Sequence, residues 1–150
     1  MANYKQDATI NIRLTSNWIS YHQNKYMGQH GITMPQFNIL RILRGAKEPL
    51  SISLVRDRMI EKSPNTTRLM DKLIDKGLIE RLKDTRDNRV ITIQITKQGL
   101  QLLKLIDKDF DANIILVNNL TNEECEVLNK LLIKVRGGIE NTLENNCNGK

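Results

Sequence analysis

A highly charged hairpin in the middle of the chain constrains the fold more than any other stretch of the sequence. Residues 78–82 (LIERL) and 90–95 (VITIQI) have the composition of β-strands, and the isoleucines of the second run recur at every second position. Between the two runs lie residues 83–89 (KDTRDNR), which include no apolar side chain. Such a tip is not expected to contribute to a core. It can carry arginine to phosphates or into a narrow minor groove, although an ordinary solvated tip has the same composition.

Two short helices are predicted before the hairpin. Ser51 or Ser53 can cap the first of them. Ser63 and Pro64 are expected to open the second, because a serine hydroxyl accepts a hydrogen bond from a free amide and proline fits the first helical position. Gly77 is expected to close it in a left-handed C-cap. The order of helix, turn, helix and hairpin predicts a winged helix-turn-helix.

The second of these helices is amphipathic. At about 100° per residue, its apolar side comprises Thr66, Leu69, Met70 and Leu73. Its opposite side is polar and comprises Pro64, Arg68, Asp71 and Lys72, with Asn65 and Thr67 at the flanks. A recognition helix in a major groove needs cations and short hydrogen-bonding groups near its N-terminus. A solvated helix face offers the same groups, so the helix alone does not decide between the two interpretations.

The distribution of charge favours a polyanionic partner for the winged segment. The chain has 150 residues and a net charge of +6. Residues 41–104 hold 15 basic and 8 acidic residues, a net charge of +7, whereas residues 105–150 hold 5 basic and 8 acidic residues, a net charge of −3. The positive charge is therefore concentrated on the segment that contains the helix-turn-helix and the hairpin.

Two motifs of the winged segment resemble the MarR family of bacterial winged-helix transcription regulators. The more specific one is the wing, with the pattern Arg81-x-x-Asp84-x-x-Asp87-x-Arg89 and then Ile95-Thr96-x-x-Gly99. The other is the recognition helix and the entry to the wing, residues 67–73 (TRLMDKL) and 77–81 (GLIER). The resemblance extends from about residue 11 to residue 143.

The resemblance implies a mainly α fold with a small β-hairpin wing, in which a winged helix-turn-helix lies between N- and C-terminal dimerisation helices. The single domain divides into a DNA-binding lobe, at about 34–98, and a helical dimerisation region, at about 7–30 and 99–145. It further implies a homodimer on a palindromic double-stranded operator, and repression relieved by a small aromatic or phenolic effector. The N-terminus lacks the apolar core of a signal peptide, so a cytoplasmic protein is expected. The candidate DNA-contacting residues are Ser63, Asn65, Thr66, Thr67, Arg68 and Lys72 in the helix and Arg86, Asp87 and Arg89 in the wing.

The terminal segments are predicted to be helical. Residues 7–27 carry apolar side chains at helical spacing, and these include Trp18 and Tyr21, the candidate effector-binding residues. Such a helix fits a dimer interface, the floor of a ligand pocket or plain packing. Capping boxes are predicted at Thr33 and at Thr121. A long helix is expected from Thr96 toward Val117, and an apolar stripe along the last helix, at Val127, Leu128, Leu131, Leu132, Val135, Ile139 and Leu143.

Several classes of function are disfavoured by the sequence. Cys125 and Cys147 match no zinc-binding spacing, and His22 and His30 are the two histidines, so neither a metal site nor another cofactor is expected. No apolar run reaches the length of a membrane span. No nucleophile lies beside a histidine and no glycine-rich phosphate loop is present, so the chain is not expected to be an enzyme. The alternative to a DNA-binding regulator is a winged-helix module that binds protein.

Overall fold

The computed structural model describes residues 3–60, 64–83, 87 and 89–137 of the chain. The elements in these residues are, in chain order, α1 (Tyr4–Gln29), α2 (Met34–Ala46), β1 (Leu50–Ser51), α3 (Ile52–Arg58), α4 (Thr66–Asp75), β2 (Ile79–Lys83), β3 (Ile91–Ile95), α5 (Lys97–Asp107), a π-helical turn (Asp111–Ile115) and α6 (Asn122–Val135). The chain is therefore mainly helical, and its small antiparallel sheet forms the predicted wing.

Helix α2 is the central element of the fold. It contacts α1, α3, α4, α5 and β3, and six of its thirteen residues are buried. Its apolar residues cover a wide arc, which is typical of a helix packed against more than one neighbour. Its predicted capping box is confirmed, since the Thr33 side chain accepts from the Gln36 amide and the Gln36 side chain accepts from the Thr33 amide.

The sheet has the strand order β1-β3-β2, with all pairs antiparallel. Leu50 pairs with Ile93, and Ile79 pairs with Ile95. The two-residue β1 adds a short third strand to the wing. Ser51 then caps α3 by accepting a hydrogen bond from the Leu54 amide at 3.3 Å.

Helix α4 begins later than predicted. Pro64 and Asn65 lie in a turn, Asn65 is the N-cap and the first helical residue is Thr66, so the predicted start at Ser63 and Pro64 is wrong. Thr66 is buried, and its hydroxyl donates to the sulfur of Met59 at 3.8 Å. The helix thus starts where the chain reaches the core. Its predicted end is confirmed, since Gly77 has a φ of +69°.

The helix predicted from Thr96 toward Val117 is shorter than expected. α5 ends at Asp107, and the chain resumes as the π-helical turn that closes at Leu116 with a φ of 56°. The side-chain amide of Gln23 on α1 donates to the carbonyl oxygen of Ile114 at 2.6 Å. This long-range hydrogen bond ties the irregular turn to α1, an interaction that a local helical pattern cannot report.

Helix α6 starts at the predicted capping box, in which Thr121 and Glu124 exchange hydrogen bonds. None of its residues is buried, and Val135 is 70% exposed. The apolar residues of α1 are also exposed, among them Leu14 and Tyr21. One chain therefore leaves two apolar helix faces uncovered. Ile139 and Leu143, predicted to extend the stripe of α6, lie outside the described residues.

Gly99 lies at a position where the fold leaves no room for a side chain. A Cβ at this position would overlap the carbonyl oxygen of Leu78 and lie 2.7 Å from Ile95 Cγ1. That oxygen also accepts the amide hydrogen of Thr96 at 3.1 Å, so it cannot withdraw freely. The start of α5 is packed directly on the junction between α4 and the wing.

We therefore expect Gly99→Ala to lower the free energy of unfolding by about 1–3 kcal/mol, as overpacking does in a dense core. The matched control is Gly45→Ala in α2, where a new Cβ meets nothing within 4 Å. That substitution should raise stability by about 0.5–1 kcal/mol through helix propensity. Urea unfolding followed by circular dichroism measures both, and equal effects of the two substitutions would contradict the packing of α5.

A second prediction concerns Tyr26, a buried residue whose hydroxyl has no hydrogen-bond partner among the described residues. Burial, and then the charge of Asp109, raise the pKa of the Tyr26 phenol above its ordinary value of 10.0. The contribution of this group to stability is therefore fully present below pH 10 and is lost as the pH rises through the raised pKa.

We expect Tyr26→Phe to leave stability at pH 7 unchanged or to raise it by about 1 kcal/mol, because an unsatisfied polar group is removed. Above pH 10 the variant should lose less stability than the unmodified protein. Urea unfolding at pH 7 and across pH 9–11, for both proteins, measures the difference. A large loss of stability at pH 7 would show that the hydroxyl has a partner.

Candidate nucleic-acid interface

Helix α4 presents a polar face because its other face is held in the core. Met70 and Leu73 are fully buried, and Thr66 is buried beside them at the start of the helix. At 3.6 residues per turn, this anchoring turns Thr67, Arg68 and Lys72 outward, and all three are exposed. Asn65 is exposed at the N-cap.

Thr66 is the one predicted contact residue on α4 that the structure removes from this surface. Its side chain is 2% exposed and is engaged with Met59, so it cannot reach a ligand of the outer face. The amphipathic pattern had already placed Thr66 on the apolar side. Its contribution to the interface is to fix the rotation of the helix. Ser63, the other predicted residue at this end, lies outside the described residues.

The two cations of the α4 face are available to a ligand. Within the described part of the chain, the side chains of Arg68 and Lys72 make no ion pair or hydrogen bond. Asp71 lies between them in sequence, but its carboxylate is paired with Arg81 on β2. The acidic residue is therefore neutralised by the wing rather than by the cations of its own helix.

The pair between Asp71 and Arg81 also joins the recognition helix to the wing. Both side chains are about half exposed, so the pair contributes little to stability, and the two elements are held together mainly by their packing. The amphipathic pattern places Asp71 on the polar face and predicts no partner for it. Arg81 was noted for its place in the wing motif, which was the one signal that could have suggested the pairing.

The wing extends from the pairing of Lys83 with Ile91. Of the predicted tip residues, Asp87 and Arg89 are described and exposed, whereas Arg86 lies outside the described residues. The carboxylates interleaved with arginines at the tip predict that Asp87 holds an arginine by ion pairing. Instead its Oδ1 accepts the backbone amide hydrogen of Arg89 at 2.9 Å, and no ion pair joins the two. Asp87 thus shapes the turn and leaves the Arg89 guanidinium to other partners.

A cavity of about 620 Å³ lies behind this surface, between α1, α2 and the helix-turn-helix. Its floor includes Phe37, and α4 contributes Leu69. Arg41 lines it and lies over two aromatic rings, 5.8 Å from the centre of Phe37 and 5.1 Å from that of Phe110. The remaining lining residues are Ser20, Gln23, Asn24, Thr33, Met34, Pro35, Asn38, Met59, Ile60 and Ile114.

The sequence did not identify this cavity. Its candidate effector-binding residues, Trp18 and Tyr21, are not in the lining and are 48% and 63% exposed on α1, where both rings contact His22. The signal that could have indicated the cavity is the narrow polar side of α2, formed by Asn38, Arg41 and Arg44. Polar residues on a helix with buried neighbours on most sides, such as Arg41, face an internal space more readily than bulk water.

Other sites are not supported among the residues described. No group of three or more His, Cys, Asp or Glu side chains there could hold a metal ion. Cys125 is a free thiol on α6. The described helices also include none with the length and hydropathy needed to cross a membrane.

Comparisons of this chain with known proteins identify related transcription regulators. A family model described as the MarR family matches residues 32–91. The chain is 33% identical over 119 residues to the HTH-type transcriptional regulator MhqR of Bacillus subtilis (strain 168), a match that covers 78% of this chain and 81% of the relative. It is 31% identical to the multiple antibiotic resistance protein MarR of Escherichia coli (strain K12), over 75% and 78% of the two chains.

Solved structures agree with the sequence matches. The fold superposes on a MarR-like transcription regulator from Bacillus cereus with a TM-score of 0.75 at 22% identity, covering 93% of this chain and all of that chain. It also superposes on the S. aureus MepR–DNA complex with a TM-score of 0.75 at 25% identity, covering 87% of this chain and 97% of that chain. The chain therefore belongs to the MarR family and is a winged helix-turn-helix transcription regulator, not an enzyme.

Proposed function

We propose that this regulator binds a palindromic double-stranded operator as a homodimer and represses transcription until a small molecule releases it. The observation that carries the proposal is the outward face of α4, where Arg68 and Lys72 have no acidic partner among the described residues and are fixed relative to the wing. The neighbouring MepR structure is a complex with DNA, which supports the same partner here. A protein that binds operator DNA acts where the DNA lies, so we propose that this regulator is cytoplasmic.

The roles follow from position on the surface. Arg68, with Asn65 and Thr67 beside it, reads base edges or phosphates in the major groove, and Lys72 contacts phosphate. Arg89, on the wing, contacts the minor groove or the DNA backbone. Asp87 shapes the turn that carries Arg89. Ser63 and Arg86, both outside the described residues, are retained from the sequence as further contacts, and Thr66 is not.

The homodimer is proposed from the uncovered apolar faces of α1 and α6. Soluble proteins rarely leave apolar patches of this extent in water, so a second copy of the chain is the natural cover. The division into a DNA-binding lobe at about 34–98 and a dimerisation region at about 7–30 and 99–145 follows from it. Two recognition helices related by a two-fold axis would match a palindrome with half-sites about one helical turn apart.

The cavity supports control by an effector. It touches α1 on the proposed dimer side and Met59, Ile60 and Leu69 on the DNA-binding side, so an occupant contacts both parts. Its apolar wall and the ring of Phe37 suit an aromatic molecule. The guanidinium of Arg41, which has no carboxylate partner among the described residues, suits a phenolate.

The first experiment is fluorescence anisotropy of the protein with DNA from upstream of its own gene and with scrambled DNA, over a range of salt. We expect tighter binding to the upstream DNA and a steep dependence on salt. Arg68→Ala should weaken specific binding about tenfold, through a lost base or phosphate contact. Lys130→Ala is the control, because Lys130 is paired with Glu126 on α6.

Two outcomes of this experiment would count against the assignments. Equal weak binding to both DNAs would favour a winged module that binds protein. Specific binding that Arg68→Ala leaves intact would show that the α4 face is not the reading surface.

The dimer is tested by Leu131→Asp on the exposed apolar face of α6. We expect a carboxylate in the interface to convert the protein to a monomer, because burying an unpaired charge is strongly unfavourable. Light scattering after size exclusion gives the mass, and Lys130→Gln, one residue away on a polar position, is the control. A variant that keeps the dimer mass would place the interface elsewhere.

A further inference from the structure

We propose that Asn38 is a positioning residue that links the cavity to the placement of the recognition helix. Its Oδ1 accepts the backbone amide hydrogen of Ile60 at 3.1 Å, and Asn38 and Ile60 both line the cavity. Ile60 follows Met59, the C-cap of α3, so this hydrogen bond holds the chain where it leaves the first helix of the helix-turn-helix. The proposal rests on the proposed function, since it concerns how that site is held.

The neighbour of Ile60 carries the connection to α4. Met59 is buried and lines the cavity, and its sulfur accepts the hydrogen bond from the hydroxyl of Thr66, the first residue of α4. Ile60 is thus held by Asn38, and its neighbour Met59 by the buried contact with Thr66. A shift of Ile60 is transmitted through Met59 to the end of α4 that presents Asn65, Thr67 and Arg68.

In the Asn38 side chain, the oxygen has a hydrogen-bond partner and the amino group (Nδ2) does not, among the described residues. Asn24, on the opposite wall of the same cavity, differs, because its Oδ1 accepts from Met34 at 3.2 Å and its Nδ2 donates to Ser20 at 2.9 Å. Asn38 therefore has an amide group available to an occupant while its oxygen holds the amide of Ile60. An occupant that reorients this amide releases Ile60.

The test compares variants that separate size from hydrogen bonding. Asn38→Leu is nearly isosteric but has no acceptor, and so imitates the release. Asn38→Asp keeps an acceptor oxygen for Ile60. Asn24→Leu is the matched control, since it removes a similar hydrogen bond in the same cavity that leads to α2. Should Asn38→Leu fail to fold, Asn38→Ser, whose side chain is too short to reach Ile60, replaces it.

Two measurements are made on each variant: hydrogen exchange of the Ile60 and α4 amides by NMR, and anisotropy with upstream and scrambled DNA. In Asn38→Leu we expect exchange at Ile60 and at the start of α4 to become about fivefold faster, and specific DNA binding to weaken about fivefold, as for one lost hydrogen bond. Asn38→Asp and Asn24→Leu should remain within twofold of the unmodified protein in both measurements.

The proposal is overturned if exchange at Ile60 is unchanged in Asn38→Leu, or if it accelerates while exchange at the start of α4 does not. It is also overturned if Asn24→Leu produces the same losses, because the effect would then belong to the packing of the cavity. If the unmodified protein shows no preference for the upstream DNA, the proposed operator fails, whereas the exchange data still decide whether Asn38 positions the recognition helix.

Discussion

Burial of α2 on most of its surface is the constraint on which the rest of the structure depends. Each of five elements is positioned by its contact with this one helix. They are α1, α3, α4, α5 and β3. Three polar residues interrupt this apolar surface at positions three apart, and each has a separate task. Asn38 holds Ile60, Arg41 lies over two aromatic rings in the cavity, and Arg44 pairs with Asp107 of α5 at 2.6 Å.

The presentation of the recognition helix is a consequence of packing rather than of the polar residues themselves. Thr66, Met70 and Leu73 fix the rotation of α4, and Asp71 is drawn to Arg81 on the wing. The exposed pair is worth little as a stabilising interaction, yet it draws Asp71 toward the wing and away from Arg68 and Lys72. The same face therefore becomes more positive without an additional basic residue.

The cavity and the uncovered apolar faces relate the reading surface to the proposed dimer. The cavity is bordered by α1 as well as by residues that lead into α4. An apolar stripe on α6 and another on α1 remain in water when one chain is considered alone. In a family of transcription regulators, a space that contacts both regions offers a direct route from a small molecule to the position of α4, with packed side chains as the coupling medium.

The sequence by itself determined the elements whose signals are local. The capping boxes at Thr33 and Thr121, the left-handed Gly77, the two strands of the wing and the polar face of α4 all depend on neighbours within a few residues, and all are found in the structure. The alternation predicted for the second strand is not, because Ile91 is exposed and Thr92 is buried. The family, too, was recognisable from the wing motif.

Only the tertiary structure decided the remainder, because it depends on contacts between residues far apart in the chain. The start of α4 was set by Thr66 reaching Met59, the break after α5 coincides with the contact from Gln23 to Ile114, and the role of Asp71 was set by Arg81. The cavity could not be read from the sequence for the same reason. Its walls come from α1, α2, α4 and the segments around Met59 and Ile114, which no local pattern brings together.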